Sequence, residues 1–381
     1  MIKKFKIALH LPVALFVVLL AVSCRKAPQV IPGQVEQIFT GDASSTIKGM
    51  YLLNEGNMNM NKASLDFVNF RTGIYERNIY NKANPAVTKG LGDVGNDIGI
   101  YGSKMYVVVN ISNKVEVLDV KTAKKLGQID IVNCRYVTFH NNKAYVSAYL
   151  GKVGDPKAPN GIVAEIDTTT LQITHRVTVG RQPEEMAIVG EKLYIANSGG
   201  YSPTDYERTV SVIDLASFTE TKRIDVAINL DRVKADKYGD LYVTSRGDYY
   251  TIPSKLFVID THTDAVKKVF DIAASNLWID DDIAYIYSTE WSYPQQKNTI
   301  SYSMLNVKDE TVLSSKFITD GTDQKIVVPY GIAVNPLTKD VFVTDAGNYV
   351  ASGTLYCFDK NGRKKWQVVG GDIPAHMAFV Y

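Results

Sequence analysis

Tyr249-Tyr250, Trp291, Tyr293 and Tyr349 stand in short polar segments between β-rich runs, beside Arg246, Glu290 and Asp345. Aromatic faces with guanidinium and amide neighbours suit a large, partly apolar, hydrogen-bonding ligand better than a small ion. Equivalent segments carry Asn110, Tyr149, Asn197, Tyr201 and Tyr206. A second set opens successive apolar runs: Asn96-Asp97, Arg135-Tyr136, Glu184-Glu185, Asp231-Arg232, Ser275-Asn276, Tyr330-Gly331 and Ala375-His376. Nucleophile and zinc patterns are missing, with no G-x-S-x-G turn, no H-E-x-x-H and no Cys/His cluster. His140, His175, His262 and His376 follow no metal-ligand spacing, and a lone histidine at His376 needs partners to make a site.

The elements that must position these residues repeat. A run ending in Asp or Asn recurs at Asn69, Asp119, Asp167, Asp214, Asp260, Asn306 and Asp359, with gaps of 50, 48, 47, 46, 46 and 53 residues. Runs such as Val210-Ser-Val-Ile-Asp214 alternate with period two and read as strands. Asp119-Val-Lys-Thr122, Asp167-Thr-Thr-Thr170 and Asp260-Thr-His-Thr263 read as Asx turns rather than catalytic carboxylates, since a turn device recurs from copy to copy. Gly190-Glu-Lys192 and Asn141-Asn-Lys143 read as tight hairpin links.

A period in the forties built from four short strands predicts an all-β fold, a seven-bladed β-propeller. Its last run, Ile373-Pro-Ala-His-Met-Ala-Phe-Val-Tyr381, matches the opening run Gln182-Pro-Glu-Glu-Met-Ala-Ile-Val189, which the first copy lacks. The C-terminal strand is therefore expected to pair with the first blade and close the ring. In such a ring the residues opening the innermost strands rim the channel, and the variable loops crowd the same face, where recognition usually sits. The candidate ligand-binding set is Asn110, Arg135, Tyr136, Tyr149, Glu185, Asn197, Tyr201, Arg232, Arg246, Tyr249, Tyr250, Asn276, Trp291, Tyr293, Tyr330, Tyr349 and His376. Asp97, Glu185 and Asn276 are the oxygen set that an axial calcium ion would need.

The N-terminus reads differently. Lys3, Lys4 and Lys6 precede an apolar run broken by Pro12 and ending at Ser23-Cys24, the pattern of an export leader over 1–23. Ala21-Val-Ser-Cys24 resembles a bacterial lipobox, which would make Cys24 the lipidated first residue; a plain signal peptide or an anchor helix is the alternative. Residues 24–48 read as a flexible tether and 49–381 as the propeller. Loss of the leader's three lysines leaves 39 basic against 40 acidic residues, a balance that argues against nucleic acid. Cys134 and Cys357 fall in different repeats and form no disulfide framework.

Leu193-Tyr-Ile-Ala-Asn197, Val210-Ser-Val-Ile-Asp214 and Val179-Gly-Arg-Gln-Pro183 resemble the phrases of YncE-like and surface-layer-type propellers. Leu52-Leu-Asn-Glu-Gly-Asn57, Gly90-Leu-Gly-Asp-Val-Gly95 and Gly331-Ile-Ala-Val-Asn-Pro336 resemble the lipoprotein propellers of gut bacteria that include the BtuG group. That resemblance implies a non-enzymatic protein, lipid-anchored at the outer membrane. It would capture cobalamin and hand it to a TonB-dependent transporter. Tyr249, Tyr250, Trp291, Tyr293 and Tyr349 would then pack on the macrocycle and base. Asn110, Asn197 and Asn276 would meet its amides, and Arg135, Arg232 or Arg246 its phosphate. Arg25-Lys26 after the cysteine leaves a periplasmic face open beside cell-surface display. A glycan- or protein-binding propeller and a calcium-dependent lactonase-type hydrolase are the alternatives.

Overall fold

The computed structural model describes residues 34–381 apart from 152–154, 156, 201, 203 and 293–295. The leader, Cys24, Tyr201 and Tyr293 lie outside the described residues. Alternating β-branched and aromatic runs become antiparallel strands, and these form seven sheets. Blades 2 to 7 run outward in chain order from innermost strands Gly95–Tyr101, Cys134–His140, Pro183–Val189, Leu230–Ala235, Asn276–Asp280 and Pro329–Val334. These strands touch in succession around the axis, and Pro374–Val380 completes the ring.

Blade 1 is composite. Pro374–Val380 lies antiparallel to Gly49–Asn54, in register from Gly49 opposite Val380 to Leu53 opposite His376. Ser64–Asn69 and Ile74–Arg77 follow outward. The ring closes as the repeat demands. One boundary differs from the sequence reading: the segment assigned to a tether joins blade 1 from Gln34 onward. Gln34–Gln37 adds a fifth strand outside Ile74–Arg77. Phe39 then stacks on Trp366 of blade 7 at 5.5 Å, and Ile47 is fully buried. A four-residue edge strand with mostly exposed side chains carries no alternation to read.

Each blade is held between two others, so both faces of its middle strands are buried. In Thr209–Asp214, Val210 and Val212 pack with Leu230, Val233 and Val243 of the following blade. Ile213 packs with Tyr136, Tyr145 and Val163 of the preceding one. The outermost strand Thr219–Asp225 is largely solvated. The third-strand aspartates close their turns: Asp119 Oδ1 accepts the N–H of Lys121 and Thr122, and Asp167 Oδ1 those of Thr169 and Thr170. A single short α-helix, Ile79–Ala83, and one 3-10 turn are the only helical elements among the described residues.

Candidate functional site

The rim residues owe their position to a backbone irregularity. In six of the seven innermost strands the register slips within the first residues. In blade 5, Leu230 faces Ser245 and Val233 faces Val243, so Asp231 and Arg232 together oppose Thr244. Such a bulge twists the strand and re-aims its side chains. A hydroxyl fills the irregularity: Thr244 Oγ1 accepts the Arg232 N–H, Ser147 Oγ that of Tyr136 and Thr344 Oγ1 that of Gly331.

The rim pairs contribute to two axial cavities. First members Asn96, Arg135, Asp231, Ser275 and Tyr330 line a mouth of about 430 Å³. Second members Asp97, Glu185, Asn276 and His376 line a channel of about 250 Å³ beneath it. Tyr136 and Arg232 line both and form the partition. Arg232 Nη1 donates to Tyr136 Oη at 2.8 Å, its guanidinium 5.2 Å from the ring centroid. On the other side of that ring His376 makes an edge contact at 6.4 Å.

Beside the mouth, over blades 5 to 7, opens a cleft of about 670 Å³ lined by Tyr249, Tyr250, Ile252, Trp291, Tyr330 and Tyr349. The cleft and the mouth share Asp231, Arg246, Ser275, Thr289, Tyr330 and Tyr349 in their linings. Tyr250 is 75% exposed, Tyr249 53%, Trp291 48% and Tyr349 40%, an open aromatic surface where a folded chain usually buries such rings. Two of these rings sit on the same device. Gly247-Asp-Tyr249 and Gly347-Asn-Tyr349 both place glycine and tyrosine at positive φ, with Tyr249 at 64° and Tyr349 at 62°. Asp248 Oδ1 accepts the N–H of Tyr250, Thr251 and Ile252, and Asn348 Oδ1 those of Val350 and Ala351. A bulky residue in the left-handed region is strained, and such strain gathers at ligand sites.

Two of the three arginines expected to meet a phosphate, Arg135 and Arg246, are hydrogen-bonded to carboxylates. Arg135 Nε and Nη2 reach Glu184 Oε2 at 3.0 and 2.9 Å, and its Nη1 donates to Asn96 Oδ1. Arg246 Nη2 donates to Asp231 Oδ1 at 2.7 Å, and its Nη1 lies 3.4 Å from Glu184 Oε1. Burial pushes the Glu184 carboxyl up, but Arg135 and Arg246 outweigh it and hold the group well below the usual carboxylate range. Burial raises the Asp97 carboxyl against the pull of His376.

Several sequence-assigned residues serve the scaffold. Asn197 is fully buried, its amide shared among Gly180, Thr209 and Ser211, so it cannot meet a ligand. Tyr149 is buried under Arg135, its Oη on Glu184. Asn110 borders the mouth, but its Nδ2 is spent on the Cys134 carbonyl. Asp97, Glu185 and Asn276, the axial calcium set, line the lower channel together, with two of them already hydrogen-bonded to backbone. Asp97 Oδ2 accepts the Val137 N–H, while Glu185 accepts the Val233 N–H and pairs with Lys234. Among the described residues no three of His, Cys, Asp and Glu gather around one point suited to a metal. The sequence set omits Glu55, which accepts from Tyr330 Oη at 2.9 Å and contacts His376 Nε2 at 3.3 Å. It also omits Ile252 and Tyr287, which line the cleft and the mouth.

Fold and site define a seven-bladed propeller with an aromatic cleft opening into a polar axial mouth. The chain belongs to the family described as "Domain of unknown function (DUF5074)", which it matches over residues 48–375. No curated protein matches it. Among solved structures it is similar to a quinonprotein alcohol dehydrogenase-like protein of Bacteroides thetaiotaomicron, at 15% identity and TM-score 0.56 over 87% of this chain and 78% of that one. Hydrazine synthase of Kuenenia stuttgartiensis is 16% identical at TM-score 0.56, over 70% of this chain and 77% of that one. A functionally unknown protein of Desulfotomaculum acetoxidans is 10% identical at TM-score 0.59, over 88% and 99%. Likeness at that identity establishes the fold alone.

Proposed function

We propose that this protein captures a large, partly apolar small molecule in the cleft over blades 5 to 7, with its polar periphery reaching the axial mouth. The carrying observation is the exposure of Tyr249, Tyr250, Trp291 and Tyr349 around one cleft on turns that hold two of them strained. Rings kept in water by a tied backbone are pre-organised for a flat partner, which lowers the ordering cost of binding. A corrinoid has the required shape, an apolar macrocycle fringed with amides, and cobalamin is the ligand to test first. The resemblance adds the setting: a lipid anchor at Cys24, an outer-membrane location and a TonB-dependent transporter as partner. Binding rather than catalysis is the role, since the titratable groups of the axis are spent on one another and on backbone N–H groups.

Calorimetry of the purified full chain with cyanocobalamin tests the reading. Saturable heat at micromolar protein, lost on Trp291→Ala, supports it. Absence of heat overturns the corrinoid ligand, and a glycan array then asks whether the same aromatic surface takes sugar rings.

A further inference from the structure

The mouth contains three guanidinium groups but only two carboxylates bonded to them. Glu184 is taken by Arg135, and Asp231 accepts its short hydrogen bond from Arg246. Arg232 shares Asp231 with Arg246 as an ion-pair partner and forms no hydrogen bond to a carboxylate among the described residues. Its Nε lies 3.6 Å from Asp231 Oδ2, beyond hydrogen-bonding range, and its Nη1 meets only the neutral Tyr136 hydroxyl. The Nε–H is buried and has no hydrogen-bond partner among the described residues. The other nearby carboxylates are engaged elsewhere, Glu55 by Tyr330 and His376, and Glu185 by Lys234.

A buried cation with an orphaned donor is costly and calls for a partner. Here the group faces a cavity roomy enough to supply one, and the Tyr136 ring holds the guanidinium plane in place. We infer that Arg232 is the anion-recognising residue of an oxyanion subsite at the floor of the mouth, taking a carboxylate or phosphoryl group. The aromatic cleft adjoins the mouth, with Asp231, Arg246, Tyr330 and Tyr349 among the residues that line both. The ligand is then bipartite, with a flat part on Tyr250 and Trp291 and an anionic group at Arg232. This deepens the proposed function and rests on the mouth being part of the ligand site.

The test uses anions alone, so that its failure is separate from that of the corrinoid reading. The full chain is titrated calorimetrically with inorganic phosphate and, in a second arm, with acetate, against sodium chloride at matched ionic strength. Saturable binding of either anion is expected, and which one binds tells a phosphoryl from a carboxylate subsite. Arg232→Gln should weaken it about tenfold or more, and Arg232→Lys, which keeps the charge and loses the planar fork, several-fold. Arg223→Gln, on the solvated outermost strand of blade 4, should leave it unchanged. No saturable binding beyond chloride in the native chain overturns the inference, whatever the variants do. So does full affinity in either Arg232 variant. Cobalamin binding without anion binding removes this subsite and leaves the cleft standing; the converse removes the corrinoid and keeps the subsite.

Discussion

Tyr136 and Arg232 meet across the propeller axis, phenol to guanidinium at 2.8 Å, although they stand on innermost strands two blades apart. Together they separate the mouth from the channel below. Tyr136→Phe removes the hydroxyl and keeps the ring. The expected cost is about 1 to 2 kcal/mol, because a second donor of a buried guanidinium loses its acceptor. Thermal unfolding should show a fall of a few degrees, roughly, for a chain of this size. An unchanged midpoint would mean that the partition contributes nothing to stability.

Tyr250 and Trp291 are exposed, at 75% and 48%. Tyr250→Ala and Trp291→Ala should therefore leave unfolding within about 0.5 kcal/mol of the native chain. Their effect belongs in ligand affinity, where loss of an aromatic anchor costs about 2 kcal/mol, roughly thirtyfold. Parallel melting and calorimetry read the two quantities separately.

Glu184 connects Arg135, Arg246 and Tyr149. Its folded-state pKa is lowered from 4.5 to about 2, so its contribution to stability is complete above the unfolded value. That contribution fades as pH falls from about 4.5 toward 2. Glu184→Gln should flatten this limb of the stability curve. It should also destabilise by about 3 kcal/mol at neutral pH, since the mostly buried Arg135 guanidinium loses its counter-charge and Arg246 the more distant of its two carboxylates. Denaturant midpoints measured from pH 2.5 to 7 in both proteins decide the matter.

Ring closure depends on Pro374–Val380. A chain ending at Gly371 leaves the inner edge of Gly49–Asn54 unpaired, so loss of cooperative unfolding and association into larger species are expected. Gly331→Ala is a milder probe of the same seam. The added methyl would sit 1.9 Å from the Ala375 carbonyl oxygen, where backbone has no room to yield. Size-exclusion chromatography and circular dichroism follow both variants.

The seven blades, the closing strand and the Asx turns were legible because each rests on local pattern: alternation, turn chemistry and a period in the forties. The rim positions were legible for the same reason, since counting from each second strand found Asn96-Asp97, Arg135-Tyr136 and their equivalents. The fifth strand at Gln34–Gln37 was not, because its mostly exposed side chains carry no alternation. Nor was the fate of Asn197. Its place after a second strand matches that of exposed loop residues, and only packing against Gly180, Thr209 and Ser211 buries it.

The amino-acid sequence by itself determined the repeat, the architecture and the face on which variable residues gather, since strand period and turn preference act over a few neighbouring residues. Tertiary structure alone decided which of those residues remain available to a ligand. Charge pairing and burial depend on groups brought together from different blades. Arg135 and Glu184 are 49 positions apart, and Arg232 and Tyr136 are 96. No local pattern records that Arg135 bonds Glu184 through two nitrogens while Arg232 only approaches Asp231, at 3.6 Å.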